Sequence, residues 1–387
     1  MVSALVRCGH SVQVLTSNHR LPSQSLPGET GVRRRLILAG DANRNFGSLH
    51  RREYANREVL LDSLSAFRPD CAYIWDMRGL SKSLLHHFGT YGIPCLFDLH
   101  NTWPLEDLEA DPWADWWRGK AGVGRKCQRA LMHLCGRSRI LTRRYPLSGP
   151  GAIDLSNAYV CSDNLRRQLA DGGLPVENLK VLHPSTDTNL LPIKISYRSN
   201  TRFIWAGRLS DEKDPWTAIE AVRLLRERGI HASLYMFVQG EQIERKRMRN
   251  QIDSSGMRDY VFKKYIRPSE LPRHLSHYDA FLSTSRATDP FPMTPLEAML
   301  GGMPCILTRC GGLQEIAKEG EHYLGFDAGD AGSLVSAMEK FCEKPDYGAE
   351  MGRKCRESLQ DKFSMDNQVK EIEQRLEGVI SAARDRV

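Results

Sequence analysis

Asp279 to Arg309 reads DAFLSTSRATDPFPMTPLEAMLGGMPCILTR. Two short apolar runs, DAFLSTS (Asp279 to Ser285) and PCILTR (Pro304 to Arg309), bracket an irregular loop and a helix near Pro295 to Leu300. Thr294-Pro295-Leu296-Glu297 has the form of a capping box, with Thr294 as cap, Pro295 at the first helical position and Glu297 reaching back. The same letters allow a second reading. A loop that runs into a helix N-terminus leaves free N–H groups and a positive dipole end facing whatever lies outside, a natural seat for an anion.

Outward from this unit the pattern repeats. RFIWAG (Arg202 to Gly207), ASLYMFV (Ala232 to Val238) and YVFKKYI (Tyr260 to Ile266) read as strands, with helices near Trp216 to Arg228 and Ile243 to Ser255. The first half alternates in the same way. Its strand candidates are Ser11 to Ser17, Cys71 to Met77, Pro94 to His100, Ala158 to Ser162 and Asn178 to Pro184; its helix candidates are Arg52 to Phe67, Ser81 to Tyr91 and Trp116 to Cys135. Such alternation predicts an α/β protein of two doubly wound Rossmann-like domains, residues 1–195 and 196–364, joined near Leu190 to Asn200. Residues 365–387 form a closing amphipathic helix, expected to pack back toward the N-terminal domain. The opening MVSALVRCGH reads as the end of a first helix, so the strand and loop that normally precede it are expected to be absent.

Composition bounds the function. The 387 residues are 41% hydrophobic and 26% charged, an ordinary globular balance. No apolar run approaches the roughly 18 to 20 residues of a membrane span, and the N-terminus lacks the order of a signal peptide, so the expected compartment is cytoplasmic. Ten scattered cysteines without a CxxC pair predict reduced thiols. Residues 1–195 hold 25 Lys+Arg against 18 Asp+Glu, whereas the remaining 29 basic and 29 acidic residues cancel. Trp113 to Tyr145 alone holds nine basic residues against Asp115, beside Trp113, Trp116 and Trp117. This stretch is a candidate for contact with an anionic membrane at the inner face, with a solvated helix face as the alternative; Arg125, Lys126 and Arg129 are its test positions. The basic residues are not interleaved with aromatics along a strand platform, so no nucleic-acid partner is expected.

Standard phosphate and metal signatures are missing: there is no GxxxxGK[ST], no GxGxxG after a strand and no HExxH. Asp98 and His100 end a predicted strand two residues apart, without a recognisably spaced third ligand. Arg208 and Lys213 follow another predicted strand, where a guanidinium fork and an ammonium suit a diphosphate.

AGRLSDEK, then DPFPMTPLEAMLGGMPCILTRCGG, then LQEI resemble the donor-binding half of the retaining, family-4 nucleotide-sugar glycosyltransferases of the GT-B fold. YIWDMRGLS, FDLHNTW, IDLSNAYVCSDNLRRQL and VLHPSTDTNLL are similar to N-domain and linker segments of that family. The resemblance implies that Arg208 and Lys213 bind the donor diphosphate and that Glu297 holds the ribose hydroxyls. It implies further that Asp289, where the family usually has glutamate, faces the sugar, and that backbone N–H groups from Phe291 through Met293 and Thr294 contact sugar and phosphate oxygens. His100 approaches the sugar from the other domain. Catalysis on this reading needs no metal, no cofactor and no protein nucleophile, and the acceptor is a glycan, a lipid-linked compound or a small molecule in glycoconjugate or polysaccharide biosynthesis. Departures from the family pattern are Asp289, Pro292 for glycine, Asp214 for the glycine after the lysine, and Pro184-Ser185 for Asn-Gly. They leave a catalytically weakened or inactive nucleotide-sugar binder as the alternative, with a GT-B epimerase behind it.

Overall fold

The computed structural model describes residues 1–17, 31–38, 45–109, 111–147, 149, 153–197, 201–286 and 289–385. Thr288, residues 198–200 of the expected linker and Arg386 of the expected last helix lie outside these. The chain divides into two compact units. Unit 1 gathers Met1–Val160, Leu165–Val181 and Val369–Val387; unit 2 gathers Cys161–Asn164 and Leu182–Gln368. No helix among the described residues is long and apolar enough to cross a membrane.

Unit 1 carries β1 (Val14–Ser17) and β2 (Val32–Leu36) as one parallel pair, and β3 (Ala72–Ile74), β4 (Cys95–Leu99), β5 (Ala158–Val160) and β6 (Lys180–Val181) as a second parallel sheet in that order. Strand β2, Val-Arg-Arg-Arg-Leu, was not among the expected strands. Pairing with β1 sets Val14 beside Val32, and Leu36 and Arg34 are buried. The single helix expected over Trp116 to Cys135 is two, Pro112–Arg118 and Val123–Leu134. Asp111 caps the first by accepting from the Ala114 N–H at 2.8 Å, and the break falls at Gly119, where a Cβ would sit 1.9 Å from Asp115 Oδ1. The last helix, Met365–Arg384, sets Glu373 2.7 Å from His10 and Arg375 over the Tyr159 ring within unit 1.

Unit 2 is built on six parallel strands: β7 (Arg202–Arg208), β8 (Ser233–Gln239), β9 (Val261–Lys264), β10 (Ala280–Ser283), β11 (Cys305–Thr308) and β12 (Leu324–Phe326). Their order across the sheet is β12-β11-β10-β7-β8-β9. The first strand is therefore internal, with the chain winding to one side through β8 and β9 and then to the other through β10 to β12. Phe203, Ile204 and Trp205 are buried in succession, as expected of a strand covered on both faces. Phe203, Leu234, Met236, Leu282 and Ile306 are at most marginally accessible, and each such side chain contributes about 1.5–3 kcal/mol of burial. Helices Pro215–Glu227 and Ala331–Glu343 pack against each other and supply Val222, Leu225, Leu334 and Met338 to this core. β12 and the helices Ala331–Glu343 and Pro345–Leu359 were not expected, although Asp330 marks the start of the first by accepting from the Gly332 and Ser333 N–H groups.

Candidate functional site

A ligand in an open α/β sheet lies outside the carboxyl ends of the strands where the winding reverses. In unit 2 that point is between β7 and β10, which are hydrogen-bonded neighbours. Arg208 ends β7 and Lys213 follows on its loop; the loop after β10 carries Asp289. Lys213 Nζ pairs with Asp289 Oδ2, and both side chains are largely buried. Arg208 stays exposed and lies 2.9 Å from Glu212. Two positions 76 residues apart in sequence thus meet at the reversal, as an ion pair.

Both loops are held from beneath. The buried Thr284 hydroxyl accepts from Trp205 Nε1 at 2.9 Å and donates to the Asp214 carbonyl at 2.6 Å, tying the β10 loop to the β7 loop. Asp214 has φ of +43°, a conformation that favours glycine, which accounts for glycine at this place in the family pattern. Here the aspartate accepts from the Thr217 hydroxyl at 2.8 Å and the Thr217 N–H at 3.3 Å, capping helix Pro215–Glu227, and meets Arg286 at 3.2 Å.

The Asp289 to Phe291 backbone is clamped on its other side. Ser162 Oγ donates to the Pro290 carbonyl at 2.8 Å, and Asn164 Nδ2 donates to the Asp289 carbonyl at 3.2 Å. Gly312 lies so close that a Cβ would fall 2.3 Å from the Pro290 oxygen. Glu315 anchors the partner segment, accepting from the N–H groups of Asp163 (2.9 Å) and Asn164 (2.8 Å) and facing His183 at 2.9 Å. Burial by itself would push the Glu315 carboxyl up, but the His183 and backbone hydrogen bonds outweigh it and hold it below the ordinary glutamate range. Sequence reading passed over Ser162, Asn164, Gly312 and His183; the adjacent glycines Gly311-Gly312 were the available signal of a close backbone approach.

The capping box does not form. The helix runs Met293–Leu300, so Pro292 occupies the cap position without a side-chain hydrogen bond, and Thr294 and Pro295 already lie in the first turn. Pro292 has the extended backbone a cap requires and displaces Thr294 from that role. Among the described residues, no hydrogen bond engages the N–H groups of Phe291, Met293 or Thr294. Met293, Thr294 and Glu297 form the partly open side of this helix, while Leu296, Ala298, Met299 and Leu300 are buried. Phe291 is buried with its ring 5.3 Å from that of His183. Burial pushes the Glu297 carboxyl up to about 7. A half-buried acid poised near neutrality beside free N–H groups can accept two hydroxyl protons, which a satisfied cap cannot.

His100 belongs to unit 1, one residue past the end of β4. Its Nε2 is 2.8 Å from Asp98 Oδ1, and the other Asp98 oxygen accepts from Tyr73 at 2.7 Å. Tyr73 and Tyr159 share a 2.5 Å contact. Burial, then the Asp98 charge, push both phenols well above the ordinary tyrosine value, so they remain donors. Among the described residues no set of three His, Cys, Asp or Glu side chains is arranged to hold a metal, so Asp98 and His100 find no third ligand.

Residues 193–358 match the family model described as Glycosyl transferases group 1. The fold is GT-B. Over 98% of this chain and 91% of the other, it superposes on sucrose-phosphate synthase from Thermosynechococcus elongatus, with a TM-score of 0.69 and 16% identity. HepE of Anabaena in complex with UDP-glucose superposes with a TM-score of 0.60 and 18% identity, covering 83% of this chain and 81% of that one. By sequence, the chain is 29% identical over 198 residues to mannosylfructose-phosphate synthase of Agrobacterium fabrum, a match that covers 46% of this chain and 43% of that protein. D-inositol 3-phosphate glycosyltransferase of Pseudarthrobacter chlorophenolicus is 28% identical over 153 residues, 39% of this chain and 36% of that protein. The chain spans less than half the length of these curated relatives.

Proposed function

We propose that this chain is a retaining glycosyltransferase of family 4 that moves a sugar from a nucleoside-diphosphate donor to a glycan, lipid-linked or small-molecule acceptor, without a metal. The observation that carries the reading is the Lys213–Asp289 pair at the sheet's reversal, with Arg208 ending β7 and the open N–H groups of Met293 and Thr294 and Glu297 on the helix that follows Asp289. Transfer separates an oxocarbenium-like sugar from a diphosphate, so a catalyst must neutralise the departing charge. Arg208 and Lys213 supply it, Glu297 accepts from the ribose hydroxyls, and Asp289 turns to the sugar once phosphate oxygens compete for Lys213. UDP and UDP-glucose bound in HepE make uridine nucleotides the first to try.

The test is thermal unfolding with UDP, GDP, ADP and dTDP, followed by sugar transfer with and without EDTA. One nucleotide raises the midpoint of the parent and not of Glu297→Ala, and EDTA leaves the transfer rate unchanged. No shift with any nucleotide in a folded sample sinks the reading; loss of transfer in EDTA sinks its metal-free part. A second reading, a nucleotide-sugar binder without transferase activity, draws support from Pro292, which lacks an N–H, and from carboxylates already facing both cations. Nucleotide binding with no transfer to any acceptor class would favour it.

A further inference from the structure

The helix Val123–Leu134 in unit 1 is turned inside out. Its three inward residues include two arginines: Arg129 donates to the carbonyls of Trp116 at 2.6 Å, Gly119 at 2.9 Å and Asp115 at 3.1 Å, and Arg125 reaches Asp115 at 3.4 Å. Met132 packs beside them against the tryptophan cluster. No residue of the helix is buried. At 100° per residue, Val123, Cys127, Ala130, Leu131 and Leu134 share one side, and all five are exposed. Val123 is 79%, Leu131 66% and Leu134 86% accessible, and Ile140 of the following helix Arg137–Arg144 is 66% accessible. Lys126 on this helix and Arg137, Arg139 and Arg143 on the next are exposed and have no acidic partner among the described residues.

A water-facing helix would carry the arginines outside and the leucines inside. The opposite arrangement sets an apolar ridge beside exposed cations that no acid among the described residues neutralises, which matches the two layers of an anionic bilayer surface: acyl chains for the ridge and phosphates for the cations. We propose that the outer side of Val123–Leu134, flanked by the cations of Arg137–Arg144, is an in-plane docking surface for anionic lipid membranes. Two parts of the basic stretch read from the sequence are excluded from it. Trp113, Trp116 and Trp117 are core residues, packed with Leu49 and Tyr145, and Arg125 and Arg129 hold the helix to the unit. The proposal is independent of the donor site and extends to where the acceptor side of the protein would work.

The experiment is sedimentation of the full chain with phosphatidylcholine vesicles and with phosphatidylcholine–phosphatidylglycerol vesicles, at low and high salt. The parent binds the anionic vesicles alone and releases them in salt. Leu131→Ser with Leu134→Ser lowers partitioning about a hundredfold, roughly tenfold for each buried leucine lost. Lys126→Gln with Arg137→Gln and Arg139→Gln lowers it about a hundredfold, at roughly fivefold for each charge, and removes the salt dependence. Both variants keep the parent's melting midpoint and nucleotide-induced shift. Equal binding of the parent to both vesicle types overturns the proposal, as does unchanged binding of the serine variant. A parent dimer that becomes monomeric in the serine variant overturns it in favour of a second copy covering the ridge.

Discussion

At the residue scale, Glu297 makes the sharpest prediction. Its folded-state value of about 7 lies above the ordinary glutamate value of about 4.3. The folded state therefore binds the proton more tightly, and the stabilising effect is fully present below about pH 4.3 and lost as pH rises through about 7. Glu297→Gln should equal the parent in stability near pH 4 and exceed it by about 3 kcal/mol above pH 8, measured by urea unfolding at both. A gap that does not grow with pH refutes the cause. Nucleotide binding should release a proton near pH 7, because ribose hydroxyls favour the carboxylate; calorimetry in buffers of different ionisation enthalpy reads it directly. Asp214 makes a separate case. Asp214→Ala keeps the positive φ and loses the cap, so it should cost about 1–2 kcal/mol, whereas Asp214→Asn, which tolerates that φ and still caps, should cost less.

At the scale of elements, the loop after β10 is held by a neighbour's backbone rather than by its own sequence. Gly312→Ala would drive a methyl into the Pro290 carbonyl and displace the segment that carries Asp289 and the free N–H groups. The expected outcome is a loss of about 1–3 kcal/mol in stability together with loss of the nucleotide-induced melting shift. A destabilised variant that still shows the full shift would separate the loop from the ligand. The Lys213–Asp289 pair calls for a double-mutant cycle. Lys213→Gln leaves a buried carboxylate without its cation and should destabilise more than Lys213→Gln combined with Asp289→Asn.

At the scale of the whole molecule, the chain segment Cys161–Asn164 belongs to unit 2 although the residues on either side belong to unit 1. Ser162 and Asn164 hold the Asp289 to Pro290 carbonyls, and Glu315 holds the segment itself. Ser162→Ala with Asn164→Ala should weaken nucleotide binding about thirtyfold, at roughly 1 kcal/mol for each neutral hydrogen bond removed, with transfer falling in step. His100→Ala, in the other unit, should lower transfer and leave the nucleotide-induced shift intact. Loss of the shift in His100→Ala would refute a role confined to the transfer step.

The sequence by itself determined the alternation of strand and helix, and with it the α/β class, through local periodicity. Its resemblance to a known family implied the GT-B arrangement and singled out Arg208, Lys213, Asp289 and Glu297 as candidate donor-site residues. The capping rule failed at Thr294, which lost the cap to Pro292, and periodicity gave no sign of the strand Val32–Leu36, with its three arginines. Only the tertiary structure decided that Lys213 meets Asp289, that Gly312 and Ser162 clamp the loop between them, and that Val123–Leu134 presents leucines outward and arginines inward. Each depends on which strands are neighbours and which face a helix turns to the core. Those choices are made by burial and hydrogen bonding between segments dozens to more than a hundred residues apart, which no window of sequence contains.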